Sequence, residues 1–394
     1  MRPLLAAIVL LLSACTGAPT GVGPDLFVSG SIRGYLEPCG CHRPQLGGLP
    51  RRGTALADAP FVENGDLVDG PGRLNEIRFE TLLTALDDLG CRALNVGPGE
   101  LALGIDFLRS ARGLARFPLI SANARIDGEF AFPAGTTVAA GGRTWWVAGL
   151  VEHPGAASLA EGVARIRHER PASAQSVLLL FAGGRERAAS LAGVADLVVY
   201  SAVEPRIDAP ALATPGDRGR RLLRIGRDGP TLLTLDESFA DDAGMTARIR
   251  EYVDRIADED LLMKMNPQVE PEAGGYIGDD ACLACHADAD SHRGERHARA
   301  IESLARTGRE IDPTCIGCHV TGWGERTGYL DRETTPDLGH VGCESCHGPG
   351  RDHVDVGGDL ETPGDARKAC FRCHTPDNDP GFDFTKNWRR LAAE

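Results

Sequence analysis

Positive charge is in deficit in this sequence: 42 lysines and arginines stand against 56 aspartates and glutamates, a formal balance of −14. So acidic a chain is a poor partner for a polyanion, which excludes nucleic acid and favours a soluble acidic surface. Long apolar runs are missing too. The run from Leu4 to Leu12 is too short to span a bilayer as a mature helix, and no later stretch is long and apolar enough. Histidine is absent between His168 and His286, so that stretch offers no imidazole to a metal. Apart from one short cysteine motif there is no internal repeat, which excludes a repeat architecture.

What is present begins with length. At 394 residues the chain is too long for one ordinary domain, and two are expected. The N-terminus MRPLLAAIVLLLSAC places Arg2 before the apolar run and reads as a signal peptide over residues 1–14. Leu12-Ser13-Ala14-Cys15 resembles the bacterial lipobox, which implies acylation of Cys15 after cleavage and a lipid anchor in the membrane. The plainer alternative is an ordinary cleaved signal with a coincidental cysteine. Thr16 in place of an aspartate favours the outer membrane. Residues 15–24 are expected to form a flexible lipidated tether, and the expected location is the bacterial periplasm.

Twelve cysteines are too many for a typical cytosolic enzyme, and eight of them fall in four Cys-x-x-Cys-His motifs. These are Cys282, Cys285 and His286; Cys315, Cys318 and His319; Cys343, Cys346 and His347; and Cys370, Cys373 and His374. Zinc sites use Cys-x-x-Cys pairs but need no histidine directly after them, and adjacent disulfides would not explain the histidines either. Two thioether links to haem with the histidine on the iron explain all of it, so four covalently bound haem c groups are expected. With four haems in so short a segment, the porphyrins must form much of the core. They must also lie edge to edge, an arrangement that carries electrons.

The sixth ligand separates transfer from catalysis, because a second histidine closes the iron. His292, His297, His340 and His353 lie in this region outside the motifs, enough for one per haem. The segments YIGDDACLACH, His297-Ala298, DPTCIGCHVTG, TPDL, VGCESCHGPG with His353, and ACFRCH with FDF and Trp388 resemble the tetrahaem cytochrome c-554 family over residues 276–394. The resemblance implies axial roles for His297 and His353, with His340 and His292 as further candidates. It also implies that one haem can stay five-coordinate. A helix is expected near Gly294–Thr307.

Residues 25–239 have another texture. DLFVSG, PFVENG, CRALNVG, FPLISAN, RTWWVAGLV, SVLLLFA and ADLVVYS suit buried strands, and Leu74–Leu89 and Ile105–Ala115 suit helices, so an α/β sandwich is expected. The order of landmarks resembles the calcineurin-like metallophosphoesterases, above all their 5′-nucleotidase branch. That family binds two metals through Asp-x-His, Gly-Asp, Asn-His-Glu/Asp and later histidines at strand ends. Here Ser31 and Arg33 stand in the first slot, Asp66 survives in the second, and Pro98 and Gly99 precede Glu100 in the third. The resemblance therefore implies a degenerate domain without metal chemistry.

Cys39, Cys41 and His42 miss the haem spacing by one residue. A disulfide to Cys91, a small metal site or a histidine reaching a haem all remain open. Residues 240–275 are expected to be a helical linker with an apolar stripe of Ile249, Val253, Ile256 and Leu261, ending in a hinge.

The whole reads as an electron carrier between periplasmic or membrane redox proteins rather than a catalyst, with the first domain used for docking. Two enzyme readings stand beside it: a haem oxidoreductase acting on a small nitrogen compound at a five-coordinate haem, and a metal-dependent phosphoesterase, which the missing ligands disfavour.

Overall fold

A computed structural model of the chain describes residues 24–38, 43–266, 275–376, 378, 379 and 381–391. Cys15, Cys39, Cys41, His42 and most of the expected hinge lie outside these residues.

The strands in chain order are β1 (Leu26–Ser29), β2 (Phe61–Glu63), β3 (Cys91–Asn95), β4 (Leu119–Ile120), β5 (Arg125–Ile126), β6 (Glu129–Phe130) and β7 (Gly135–Ala140). They continue as β8 (Arg143–Val151), β9 (Ser176–Ala182), β10 (Leu197–Tyr200), β11 (Arg206–Ala209), β12 (Leu212–Thr214), β13 (Arg221–Gly226) and β14 (Gly229–Thr234). Among them run α1 (Leu49–Leu56), α2 (Arg73–Asp88), α3 (Pro98–Ala102), α4 (Ile105–Ala111), α5 (Leu159–Glu169) and α6 (Arg185–Ser190). One sheet has the order β14-β13-β1-β2-β3-β4, the other β11-β12-β10-β9-β8-β7. β1 to β4 pair in parallel, as helical crossovers require, while β13 and β14 close the edge as an antiparallel hairpin.

Alternation along each strand builds the layers. Leu26 and Val28 pack with Val62, Leu178 and Leu180 between the sheets, whereas Phe27 and Phe61 join the helices of the outer layer. On the second sheet Trp145 and Val147 turn inward, and Trp146, Ala148 and Leu150 pack with Ile166 of α5 and Ala188 of α6. The result is the expected sandwich, with a helical layer on each side.

The expected linker is corrected. Helix α7 (Ala243–Asp258) buries Met245, Ile249, Tyr252 and Ile256 in the cluster that also holds Leu82 and Leu86 of α2, and Leu261 joins them. A stripe at that spacing must cover an apolar surface, and the α1–α2 layer supplies one. Val253 is only partly buried, and Tyr252 takes its place. Asp260, in the left-handed region at φ 50°, ends the helical run before α8 (Leu261–Met265).

The rest of the chain is short pieces: α9 (Asp279–Leu283), α10 (Ala300–Ala305), α11 (Pro313–Ile316), α12 (Cys343–His347), α13 (Arg351–Asp355), α14 (Ala366–Cys373) and α15 (Phe384–Leu391). The helix expected near Gly294–Thr307 is α10, preceded by a 3₁₀ turn at His297–Arg299. The apolar cluster of this part is small: Ile301, Leu304, Ile316, Val320, Tyr329 and Leu338. So little buried apolar surface cannot by itself hold a domain of this size.

Candidate haem centre

Each motif lies on a short helix or on the turn that ends it, because thiols at i and i+3 must share a face to reach one ligand. In the first, the amides of Cys285 and His286 donate to the Cys282 carbonyl at 3.2 and 3.0 Å. In the second, Asp312 caps α11 by accepting from the Thr314 amide at 3.0 Å, with Pro313 at the first helical position. In the fourth, Asp365 caps α14, and the His374 amide donates to Cys370 at 2.9 Å.

Buried carboxylates lock the motifs together. Glu344, inside the third motif, accepts from the amides of Ile277 at 3.0 Å, Gly278 at 2.8 Å and Gly350 at 2.7 Å. Asp279, just before the first motif, accepts from the Cys343 amide at 2.8 Å and faces His340 Nε2 at 2.8 Å. Burial pushes Asp279 up, but the bonds from His340 and Cys343 outweigh it and hold the carboxyl at about 2. The first and third motifs are thus one unit, with the Cys282 and Cys343 thiols in contact. Cys318 of the second lies against Cys373 of the fourth, a contact that lowers the Cys318 thiol to about 7. None of the eight motif cysteines is in a disulfide.

The histidines separate into two groups. His286 and His353 have ring centroids 6.2 Å apart with planes 22° apart, and His297 and His374 have centroids 6.1 Å apart with planes 80° apart. Metal–imidazole bonds are about 2.0–2.1 Å, so two imidazoles on one iron put their centroids roughly 6 Å apart. Both pairs fit a shared iron. His374 donates Nδ1–H to Asp379 at 2.8 Å, His319 Nδ1 faces the Ala300 carbonyl at 2.8 Å, and His353 Nδ1 bonds the Leu360 carbonyl, which leaves Nε2 of each for a metal. His340 and His292 are the reverse, with Nε2 on Asp279 and, at 3.0 Å, on the Val341 carbonyl. Among the described residues neither His319 nor His347 is in ring contact with a second histidine.

The surroundings suit an apolar disc. Phe371, Val354 and Trp388, beside the motifs, are 52%, 42% and 40% exposed, a surface that a porphyrin would cover.

The strand ends of the first domain are arranged otherwise. Glu100 is fully buried, and its carboxylate accepts from the amides of Asp66, Leu67 and Gly97 at 2.8, 2.7 and 2.8 Å. Burial and the neighbouring Asp66 charge push Glu100 up to about 7 against those three donors. Asp66, at φ 54°, accepts from the Gly99 amide at 2.9 Å, and Arg33 reaches Asp69 at 3.2 Å. Both surviving carboxylates accept from loop amides. No group of three or more His, Cys, Asp or Glu able to hold a metal ion occurs among the described residues. Cys91 is buried, its thiol on the Ala93 carbonyl at 3.4 Å.

Residues 281–348 match the family model described as cytochrome c554 and c-prime. This segment is a cytochrome c554 family domain. Cytochrome c-554 of Nitrosomonas europaea is 40% identical over 109 residues, 23% of this chain and 46% of that one. The match thus spans about half the length of that relative. Family membership of the segment implies covalently bound haem c.

The sandwich is similar to a sulfate thiohydrolase of Thermus thermophilus, with TM-score 0.50 and 16% identity over 70% of this chain and 68% of the other. A 5′-nucleotidase precursor of the same organism gives 0.48 and 18% over 66% and 62%. A calcineurin-like phosphoesterase of Bacillus subtilis gives 0.48 and 14% over 59% and 97%. The N-terminal fold is metallophosphoesterase-like.

Sequence reasoning found the motif residues and the four spare histidines but missed Asp279, Asp312, Glu344 and Asp379, which place them. Only Asp312 carried a readable signal, the helix-start sequence Asp-Pro-Thr.

Proposed function

We propose that the chain is a lipid-anchored periplasmic cytochrome holding four haems, which accepts electrons from one redox protein and passes them to another. The observation that carries this reading is the pairing of His286 with His353 and of His297 with His374 at a separation suited to a shared iron. Haem held this way supplies one-electron Fe(III)/Fe(II) chemistry with no bond made or broken at a closed iron. The protein's part is to fix the ligands, as Asp379 and the Ala300 and Leu360 carbonyls do, and to hold the motifs as neighbours. The acylated Cys15 would keep the carrier at the membrane, and the phosphoesterase-like domain would serve in docking. Low-temperature EPR of the oxidised protein is the test: bis-histidine haems give low-spin signals, and a spectrum with none of them contradicts the assignment.

One observation favours a second reading, an oxidoreductase acting on a small nitrogen compound. His319 and His347 lack a facing histidine among the described residues, and His340 and His292 commit Nε2 elsewhere, which suits an open iron. Carbon monoxide binding to the reduced protein in less than one equivalent per chain would exclude it. A phosphoesterase reading has no ligand set among the described residues to support it, and metal-dependent release of phosphate from nucleotides would revive it.

A further inference from the structure

Three elements of the N-terminal fold converge on the turn that carries the second haem motif. Arg78 of α2 donates from its terminal nitrogen to Thr314 Oγ1 at 2.7 Å and from Nε to the Tyr252 hydroxyl at 3.2 Å. Thr314 Oγ1 in turn bonds Asp312 at 2.5 Å, and Tyr252 of α7 donates to the other Asp312 oxygen at 3.3 Å. Arg309 reaches the same carboxylate at 3.5 Å and makes two bonds to Glu37 Oε2, at 2.8 and 2.6 Å. Arg78, Tyr252, Arg309 and Asp312 are all buried, and Cys315 comes directly after Thr314.

Such a network is costly unless complete. Two guanidinium and two carboxylate groups balance here, but removal of a buried one such as Arg78 or Asp312 leaves an uncompensated charge in a low-dielectric setting. A surface tether between domains needs none of this. The charges also lie next to Cys315, where they would act on the iron of a haem bound there: a nearby positive charge favours Fe(II), a negative one Fe(III).

We propose that Arg78, Tyr252 and Glu37 of the N-terminal fold form a positioning and tuning element for the haem carried by Cys315 and Cys318, setting its reduction potential apart from the others. This role rests on the chain being a haem-bearing electron carrier and gives the N-terminal domain a purpose in that work. Arg78 and Glu37 are positioning residues with opposite signs of effect.

The test is a spectroelectrochemical titration of the full, haem-loaded chain and its variants Arg78→Met, Arg78→Lys and Glu37→Gln. Arg78→Met is expected to lower one midpoint potential and leave the rest in place, with Arg78→Lys restoring most of the shift. Glu37→Gln is expected to raise the same potential. Unchanged potentials, a uniform shift of every haem, or shifts of the same sign in Arg78→Met and Glu37→Gln would overturn the proposal. A purely structural role moves stability without that reversal of sign. Should Arg78→Met lose its haems, Glu37→Gln decides alone, since the Glu37 side chain is 43% exposed and its loss tolerable. A wild-type chain without any reversible wave overturns the electron-carrier reading itself, a distinct result.

Discussion

The rings of His286 and His353 lie 6.2 Å apart between centroids, although 66 residues of chain separate a motif histidine from one beyond the third motif. The Gly348-Pro349-Gly350 turn and α13 carry His353 back to the first motif, not to the one beside it. Replacing His353 with alanine should therefore convert one haem to a high-spin form that binds carbon monoxide when reduced. His297→Ala should do the same to the haem of His374, and the double variant should bind two equivalents more than the unmodified chain. Carbon monoxide titration of the reduced variants checks this.

Asp379 accepts from His374 Nδ1 at 2.8 Å, which makes the imidazole a stronger donor and favours Fe(III). Asp379→Asn should raise the potential of that haem by tens of millivolts, about 59 mV being a tenfold change for one electron. A potentiometric titration reads it.

Glu100 titrates higher in the fold than its ordinary 4.5, at about 7, because burial and Asp66 disfavour its charge. Its folded form then binds more protons than the unfolded chain between those values, so stability falls as pH rises from 4.5 to 7. The decline is at most about 1.4 kcal/mol per pH unit from this group, and Asp66, also raised by burial, acts in the same direction. In Glu100→Gln the slope should flatten, as measured by thermal unfolding across that range.

Arg52 and Glu63 form a pair at 2.5 Å with side chains 2% and 0% exposed. Arg52→Met should destabilise the N-terminal domain by roughly 3–5 kcal/mol, because Glu63 is left buried and unpaired. Denaturant unfolding monitored by far-ultraviolet circular dichroism gives the figure.

What could be read in the sequence depended on how local the physics was. Thioether attachment needs its residues adjacent, so Cys282 to His286 and its three counterparts are visible at once. Strand β9, buried at every position, announces itself as an apolar run. Strand β14, mostly half-buried, does not, and neither does β11, whose residues are largely exposed. Helix α7 shows its stripe in sequence, but what the stripe covers depends on α1 and α2 far upstream. The least legible residues bond over the longest distances: Arg78 meets Thr314 across 236 positions, and Glu37 meets Arg309 across 272. A charged residue in a helix reads as solvated face until its partner is seen.

The account stands on haem joined covalently through the four cysteine motifs. A pyridine haemochrome assay on the mature protein, made in a host that assembles c-type cytochromes and set against its polypeptide concentration, tests this most directly. Four haems per chain, retained after acid–acetone extraction, is the expected result. A protein that yields its haem to extraction, or contains none, contradicts it.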